Sequence, residues 1–290
     1  MAGDPPNRWH PVAWMGHALA WGRATFAVGS PRRLLVAGAA VTLGVVALAT
    51  AASMALVAVA ATLGWLGLIV EALVLKSVLS LRGLARTALA VRDDLERGDL
   101  GAARAAVGHD LVSRPTAALD AGQVASATVE SVAENLTDAF LAPVLFFLAF
   151  GLPGAVAYRV INTADAMIGY REGTLLYFGR VAARLDDLCN LVPARLAALA
   201  LVVAAALAGG DGRRAFTTMR RDHGRTASPN AGWTISAMAG ALGVTLAKPG
   251  AYRLGDGRVP TPADVARAVR LMATAAALAL PPAVALALRM

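Results

Sequence analysis

The chain has 290 residues, 57% of them hydrophobic and only 16% charged, with a formal net charge of +8. Soluble domains run about 45–50% apolar and about 25% charged, so this composition excludes an ordinary water-soluble enzyme and calls for a membrane as solvent. One cysteine, Cys189, excludes an intrachain disulfide framework; the basic charge comes without a nucleic-acid motif, so it points to the bilayer face and to anionic substrates, with no nucleic-acid partner.

In chain order, the first 33 residues are polar, aromatic and proline-containing, without the continuous apolar core of a cleavable signal peptide. A crossing needs about 20 apolar residues. Leu34 to Val70 carries no ionisable side chain, enough for two tight spans, set at about 34–54 and 55–75, or for one very long one. Leu73 to Arg97 reads as a helix leaving the membrane, ended by Gly98, and Asp99 to Ser113 as another helix. Asp120 with Gln123 three residues on has the pattern of a capping box, opening a helix at Ala121 that Pro143 should perturb. Further spans follow at about 139–158, 190–210 and 271–289. Arg195 is placed to snorkel at the edge of the fourth span, and Pro281-Pro282 should kink or break the last. Thr226 to Ala247 is charge-free, but Pro229 and its glycines suit a re-entrant piece better than a plain crossing. No alternating pattern marks a strand, and no repeat is visible. The expected fold is all-α: a polytopic integral membrane helical protein with four or five crossings, amphipathic helices and room for a re-entrant segment. Residues 1–290 form a single membrane-embedded domain in this reading. Ten Lys or Arg in residues 211–270 place that stretch in the cytoplasm by the positive-inside rule, together with Arg8, Arg23, Arg32 and Arg33.

Ionisable residues near membrane depth are expensive and mark function. Glu130, Glu134 and Asp138 recur at a spacing of four, on one helix face, with Asn135 beside them. Three carboxylates there repel unless a cation, Mg²⁺ by its preference for hard oxygen, sits among them; the alternative is an exposed helix end. Asn162 and Asp165 share a face ahead of Gly169-Tyr170-Arg171, and could equally be a capped helix end. Arg180 and Arg184 share one face, Asp186 and Asn190 another, with Asp187 and Arg195 nearby. Carboxylates suit Mg²⁺ and an arginine pair suits phosphate; a local network such as Arg184 with Asp187 is the alternative. Arg220, Arg221 and Asp222 precede a Ser228-Pro229-Asn230 turn able to aim N–H groups at an anion, or serving as an ordinary loop. His10 sits in a rigid proline-flanked segment, whereas His17, His109 and His223 lack ligand spacing. No Walker loop, GxGxxG or nucleophile elbow is present.

Six segments in this order resemble the adenosylcobinamide-phosphate synthase family of cobalamin biosynthesis (CobD/CbiB): GDPPNRWHPVAWMG at 3–16, ATVESVAENLTDAFLAPV at 127–144, NTADAMIGYR at 162–171, FGRVAARLDDLCNLVPARL at 178–196, RDHGRTASPNAGW at 221–233 and KPGAYRLG at 248–255. The resemblance spans nearly the whole chain. It implies a ligase at the inner side of the cell (cytoplasmic) membrane, multi-pass, its site facing the cytoplasm. The implied reaction joins (R)-1-aminopropan-2-ol or its phosphate to a carboxylate of adenosylcobyric acid, with ATP as co-substrate and Mg²⁺, giving adenosylcobinamide (phosphate). The implied partners are the corrinoid and amino-alcohol substrates, the lipid bilayer and other corrinoid-pathway proteins. It also implies an apolar segment ahead of the GDPP motif, where Met1-Ala2-Gly3 stands, and a leucine where this chain has Ala164.

For that activity the catalytic set is expected to be Glu130, a general-base candidate, with Glu134, Asp138, Asp165, Asp186 and Asp187. Metal binding is expected at Glu134, Asp138, Asp186 and Asp187, with Asp165 as a further candidate. Substrate binding is expected at His10, Asn135, Asn162, Arg180, Arg184, Asn190, Arg195, Arg221, Ser228 and Asn230. The rivals are a Mg-dependent membrane transferase of the prenyltransferase kind, a non-catalytic AmpE-like regulatory protein and a transporter. One constraint bears on all of this. Asp138 and Asn162 lie 24 residues apart, about 36 Å along a continuous helix. A shared cavity therefore requires a break within Ala139–Tyr158, for which Pro143 and Gly151-Leu152-Pro153-Gly154 are suited. Non-helical backbone there must be shielded or line a wet cavity.

Overall fold

A computed structural model describes residues 10–208 and 210–287, with side chains described to residue 280. Residues 3–9 of the GDPP motif, including Arg8, lie outside these. The helices are α1 (Pro11–Phe26), α2 (Pro31–Thr62), α3 (Trp65–Val78), α4 (Leu81–Glu96), α5 (Leu100–Ala106), α6 (Ala121–Leu136) and α7 (Ala142–Ile168). They continue with α8 (Leu175–Phe178), α9 (Arg180–Cys189), α10 (Leu191–Leu207), α11 (Gly212–Asp222), α12 (Ala231–Leu242) and α13 (Pro262–Ala287). π-helical turns at Val107–Leu111 and Thr137–Leu141 extend α5 and α6. The protein is thus an all-α membrane protein. Among the described residues an antiparallel hairpin pairs β1 (Leu246–Lys248) with β2 (Tyr252–Leu254), strands of three residues that are too short to show alternation.

Two runs among the described residues are long and apolar enough to cross a membrane, Pro31–Thr62 and Ala121–Ile168, or three if Arg180–Cys189 and Leu191–Leu207 make one broken span. Charge-free length in the sequence does not register where helices stop. The pair expected at about 34–54 and 55–75 is one 32-residue helix and one 14-residue helix, parted at Gly64, whose φ is +58°. α2 leaves Val36, Leu48 and Met54 59–71% exposed, an apolar surface that only lipid can cover favourably. α13 runs on through Pro281 and Pro282 without ending.

Two compact units divide the chain. The first comprises Met1–Ser80 and Ala142–Cys189, the second Leu81–Leu141 and Asn190–Met290. In the first, α7 packs on α1, α2, α3 and α9. Leu152, Ala155, Val156 and Val160 of α7 meet Met15 and Val78, while Ala164 and Ile168 meet Leu19, Leu34, Phe178 and Ala182. The break expected in α7 is real. Gly151 takes φ +67° and ψ −164°, with Pro153 following, a conformation open to glycine and closed to L side chains.

In the second unit α6 is the axis, in contact with α4, α12, α13 and β1. Asp120 accepts the Gln123 N–H and Gln123 returns a bond to the Asp120 N–H, the reciprocal cap its sequence announces. Every residue from Val124 to Ala133 is buried, so α6 is enclosed all round. Pro143 stands two residues past the π turn Thr137–Leu141, where the regular spacing of α6 ends. At the hairpin exit, buried Asp264 takes two bonds from Arg258 and one from the Thr261 N–H, fixing the start of α13.

Gly179 decides how α9 meets the end of α7. A Cβ there would lie 1.7 Å from the Ile168 carbonyl oxygen and 3.0 Å from Gly169 Cα. We expect Gly179→Ala to force the two segments apart at a cost of about 1–3 kcal/mol. Thermal unfolding in detergent should show a lowered Tm; an unchanged Tm would mean that this contact does not set the packing.

Candidate functional site

In the first unit the second polar cluster and the Arg180–Asp187 part of the third come together. Asn162, in the last turns of α7, donates from Nδ2 to Asp186 Oδ1 on α9 at 3.2 Å. Arg159, one turn earlier, donates to Asn162 Oδ1 at 3.4 Å. Asp165 is held over the helix end, where Gly169 donates its N–H to the Asp165 carbonyl at 2.8 Å. Only glycine fits at 169, since a Cβ would sit 2.0 Å from Asp165 Oδ1. Beside these lies a cavity of about 340 Å³, lined among others by Tyr170, Arg171, Arg180, Arg184 and Asp187. Among the described residues, Arg171, Arg180 and Arg184 make no ion pair; the local Arg184–Asp187 bridge that spacing allows does not form. Asp186 and Asp187 are half-buried on α9. Uncommitted guanidinium groups beside a carboxylate pair can take phosphate oxygens and, through them, a divalent cation.

The first cluster belongs to the second unit and is arranged differently from three carboxylates around a cation. Glu130 is 5% exposed. It accepts bonds from Ser126 Oγ and Tyr252 Oη, each at 2.8 Å, and Arg114 Nη2 lies 3.7 Å away. Ser126 Oγ also accepts the Ala247 N–H at 2.9 Å, so one residue ties α6 to β1. Burial and then the adjacent Glu130 charge push the Tyr252 phenol well above its ordinary range, so it stays a donor. Glu130, Ser131 and Glu134 share a cavity of about 160 Å³ with Arg114, Lys248 and Tyr252. Asn135 donates to the Ser131 carbonyl at 2.9 Å. Asp138 falls in the π turn, where the regular spacing of α6 has ended. No group of three or more His, Cys, Asp or Glu that could hold a metal forms among the described residues. With Arg114 and Lys248 on the same wall, the surroundings of Glu130 and Glu134 do not fit a cation-only site. The donor chemistry beside Asp186 and Asp187 fits magnesium better, since this ion is usually held by one or two carboxylates plus substrate phosphate.

The fourth cluster forms an ion-pair lattice. Arg221 donates two bonds to Asp222, at 2.9 and 2.8 Å, and one to Asp256 at 2.7 Å. Arg214 and Arg225 complete the lattice, so Arg221, expected at the substrate, is engaged by carboxylates of its own chain. Ser228 Oγ accepts the N–H groups of Asn230 and Ala231 at 3.2 and 3.4 Å, which starts α12. Arg195 donates to Asn230 Oδ1 at 3.3 Å and lies 4.7 Å from the Trp233 ring centre. Asn190 and Asn230 are buried. His10 caps α1, its Nδ1 accepting the Val12 N–H. Sequence reasoning misses Arg114, Ser126, Tyr252 and Lys248. A lone Arg in a loop and a hairpin of three-residue strands give no periodic signal. The KPGAYRLG segment that carries Lys248 and Tyr252 is the one visible pointer.

The family profile described as CobD/Cbib protein matches residues 1–272. The chain belongs to the CobD/Cbib family. It is 42% identical over 262 residues to the "Cobalamin biosynthesis protein CobD" of Dehalococcoides mccartyi (strain CBDB1), covering 88% of this chain and 82% of that protein. It is 39% identical over 290 residues to the protein of the same name from Klebsiella pneumoniae, covering 96% and 91%. A "Probable cobalamin biosynthesis protein CobD" of Methanothermobacter thermautotrophicus is 42% identical over 256 residues, covering 88% and 83%. No solved structure matches.

The carboxylates of the Arg221 lattice give this CobD/Cbib protein an acid limit. Hydrogen bonds from Arg221 outweigh burial and hold Asp222 below the usual range. Those from Arg221 and Arg214 hold Asp256 at about 2. Both groups titrate lower folded than unfolded. Their contribution is therefore complete above about pH 4 and is lost as pH falls toward 2. We expect the Tm in detergent to fall across that window. Arg221→Ala should lower the Tm at pH 7, by an amount equivalent to about 1–3 kcal/mol, and flatten the acid loss. A variant as stable as the parent at pH 7 would contradict the structural role.

Proposed function

We propose that this membrane protein is the cobalamin-biosynthesis ligase that joins an amine to a carboxylate of adenosylcobyric acid. The amine is (R)-1-aminopropan-2-ol or its phosphate, and the product is adenosylcobinamide or its phosphate. Family membership supports the pathway. The observation that carries the chemistry is the first unit's pocket, where Asp187 lines one cavity with three uncommitted arginines, next in sequence to Asp186, which is bound by Asn162.

A free carboxylate does not react with an amine until its oxygen becomes a leaving group. In this reading the γ-phosphoryl of ATP passes to a corrinoid carboxylate oxygen, forming an acyl phosphate and ADP. The amine nitrogen then attacks the acyl carbon. The C–N bond forms, the C–O bond to phosphate breaks, phosphate departs and the nitrogen loses a proton. Such transfers depend on positioning and on neutralising oxygen charge. Arg180 and Arg184, with Arg171, hold the phosphate oxygens. Asp186 and Asp187 would hold Mg²⁺, which supplies charge neutralisation on those oxygens when bound. Asn162 sets the Asp186 carboxylate, and Asp165 closes the end of α7 beside it. Glu130, its oxygens already taken by hydroxyl donors and Arg114, is a positioning residue and not the base.

Asp186→Asn keeps a partner for Asn162 while removing the charge. We expect membrane insertion and Tm to hold, with amide formation lowered by about a hundredfold or more. The assay is mass spectrometry of product from adenosylcobyric acid, Mg-ATP and aminopropanol with or without its phosphate. Full activity in this variant, or no product from the parent protein with either amine, would reject the assignment.

A further inference from the structure

In the first unit, α1 and α2 leave between them an apolar groove that the ligase reading does not use. It holds about 440 Å³ and is lined by Trp21 and Phe26 of α1, by Ala40, Val41, Gly44 and Leu48 of α2, and by further apolar residues. From Ala37 to Leu48 it follows α2 for about 17 Å, and half the hydrocarbon of a bilayer is about 15 Å thick. Trp21 and Phe26 meet edge to face, ring centres 5.7 Å apart, an aromatic pair of the kind that sits at a membrane interface. The contact of the two helices accounts for Gly22, since a Cβ there would lie 2.5 Å from Val41 Cγ1. It does not account for Gly44, where a Cβ would meet nothing within 4 Å, although glycine is costly inside a helix. One end of the groove is basic. Arg33 stands one turn before Ala37 on the same face of α2, with its stem over the α1–α2 turn: a Cβ on Gly29 would lie 2.9 Å from Arg33 Cδ. Arg23 is in the last turn of α1, and Arg32 adjoins Arg33. All three are exposed and make no ion pair among the described residues. Residues 5–70 contain no Asp or Glu, so these helices offer no carboxylate to a headgroup's ammonium.

We propose that this groove binds one anionic phospholipid, an acyl chain lying along Gly44 and the phosphate resting on Arg33. Burial of methylene groups holds the chain. Arg23 and Arg32 add the field that selects a net negative headgroup, each basic residue near the surface being worth about fivefold. A zwitterionic lipid keeps the first interaction and loses the second, because its own cation meets the arginines. A second copy of this protein is a poorer occupant: inserted in the same orientation, it would bring its own arginines to the same depth and repel. The site is independent of the ligase reading, since its binding is measured without ATP or a corrinoid and either can fail alone.

The test is native mass spectrometry of the purified, delipidated full chain in detergent, titrated with phosphatidylglycerol and with phosphatidylcholine of the same acyl chains. One phosphatidylglycerol should bind per protein, about tenfold more tightly than phosphatidylcholine. Arg32→Gln combined with Arg33→Gln should remove most of that preference at an unchanged Tm. Gly44→Leu fills the groove from a position where an added Cβ meets nothing, and Ala40→Leu does so from an exposed position on the same wall. Each should weaken both lipids by about tenfold or more while the Tm holds. Equal affinity for the two lipids in the parent protein would overturn the proposal. So would parental phosphatidylglycerol affinity in either folded leucine variant or in the double arginine variant, or a dimer that excludes lipid.

Discussion

A charge placed in a chain this apolar must be answered by a partner. Isolated burial of an ionised group costs far more than the few kcal/mol by which a fold is stable. Glu130 shows how the protein meets this condition. Its carboxylate lies on a helix enclosed on all sides, and two hydroxyl donors and a guanidinium gather on it. Those donors come from α6 itself, from β2 and from the loop ahead of α6. The same bonds that neutralise the charge therefore fix the hairpin and the loop. Asp222 and Asp264, each fully buried, repeat the arrangement with arginines beside the segment that leaves the hairpin.

That rule sorts the arginines by what they already hold. Arg221 is held by Asp222 and Asp256. Arg195 is held by Asn230 and stacked on Trp233. Arg258 closes on Asp264. Arg171, Arg180 and Arg184 have no such partner among the described residues and line one cavity with Asp187. Their charge is available to a ligand, and phosphate is the ligand that a cluster of guanidinium groups recognises best. The close approach of Gly179 to Ile168 and Gly169 brings α9 onto the end of α7, which is what lets Asn162 reach Asp186 across 24 positions of sequence.

Local signals are legible in the amino-acid sequence itself. The Asp120/Gln123 box marks the start of α6 at its first residue, and the Gly151–Pro153 stretch marks the break in α7. The polar clusters at 162–171 and 178–190 are also visible as clusters. What the sequence does not reveal is commitment. Nothing in RDHGRTASPNAGW says that Arg221 will meet Asp256, 35 residues later, because that pairing depends on where the hairpin returns. Arg114 is hidden for the same reason: a lone loop arginine acquires meaning only when Glu130 and Tyr252 are folded around it. The charge-free run from Leu34 to Val70 conceals the glycine turn at 64 that divides it into α2 and α3. Residues 127–144 look like one acidic face, but the π turn at Thr137 ends the spacing that would have aligned Asp138.

The central claim is that uncommitted arginines mark the nucleotide site while committed ones hold the fold. It is tested most directly by binding of a non-hydrolysable ATP analogue, with Mg²⁺, to two purified variants measured beside their thermal stability. Arg180→Gln combined with Arg184→Gln should lose affinity by about tenfold or more at an unchanged Tm, whereas Arg221→Gln should keep its affinity and melt lower. Parental affinity in the double variant, or lost affinity in an Arg221→Gln protein of normal stability, would contradict the account.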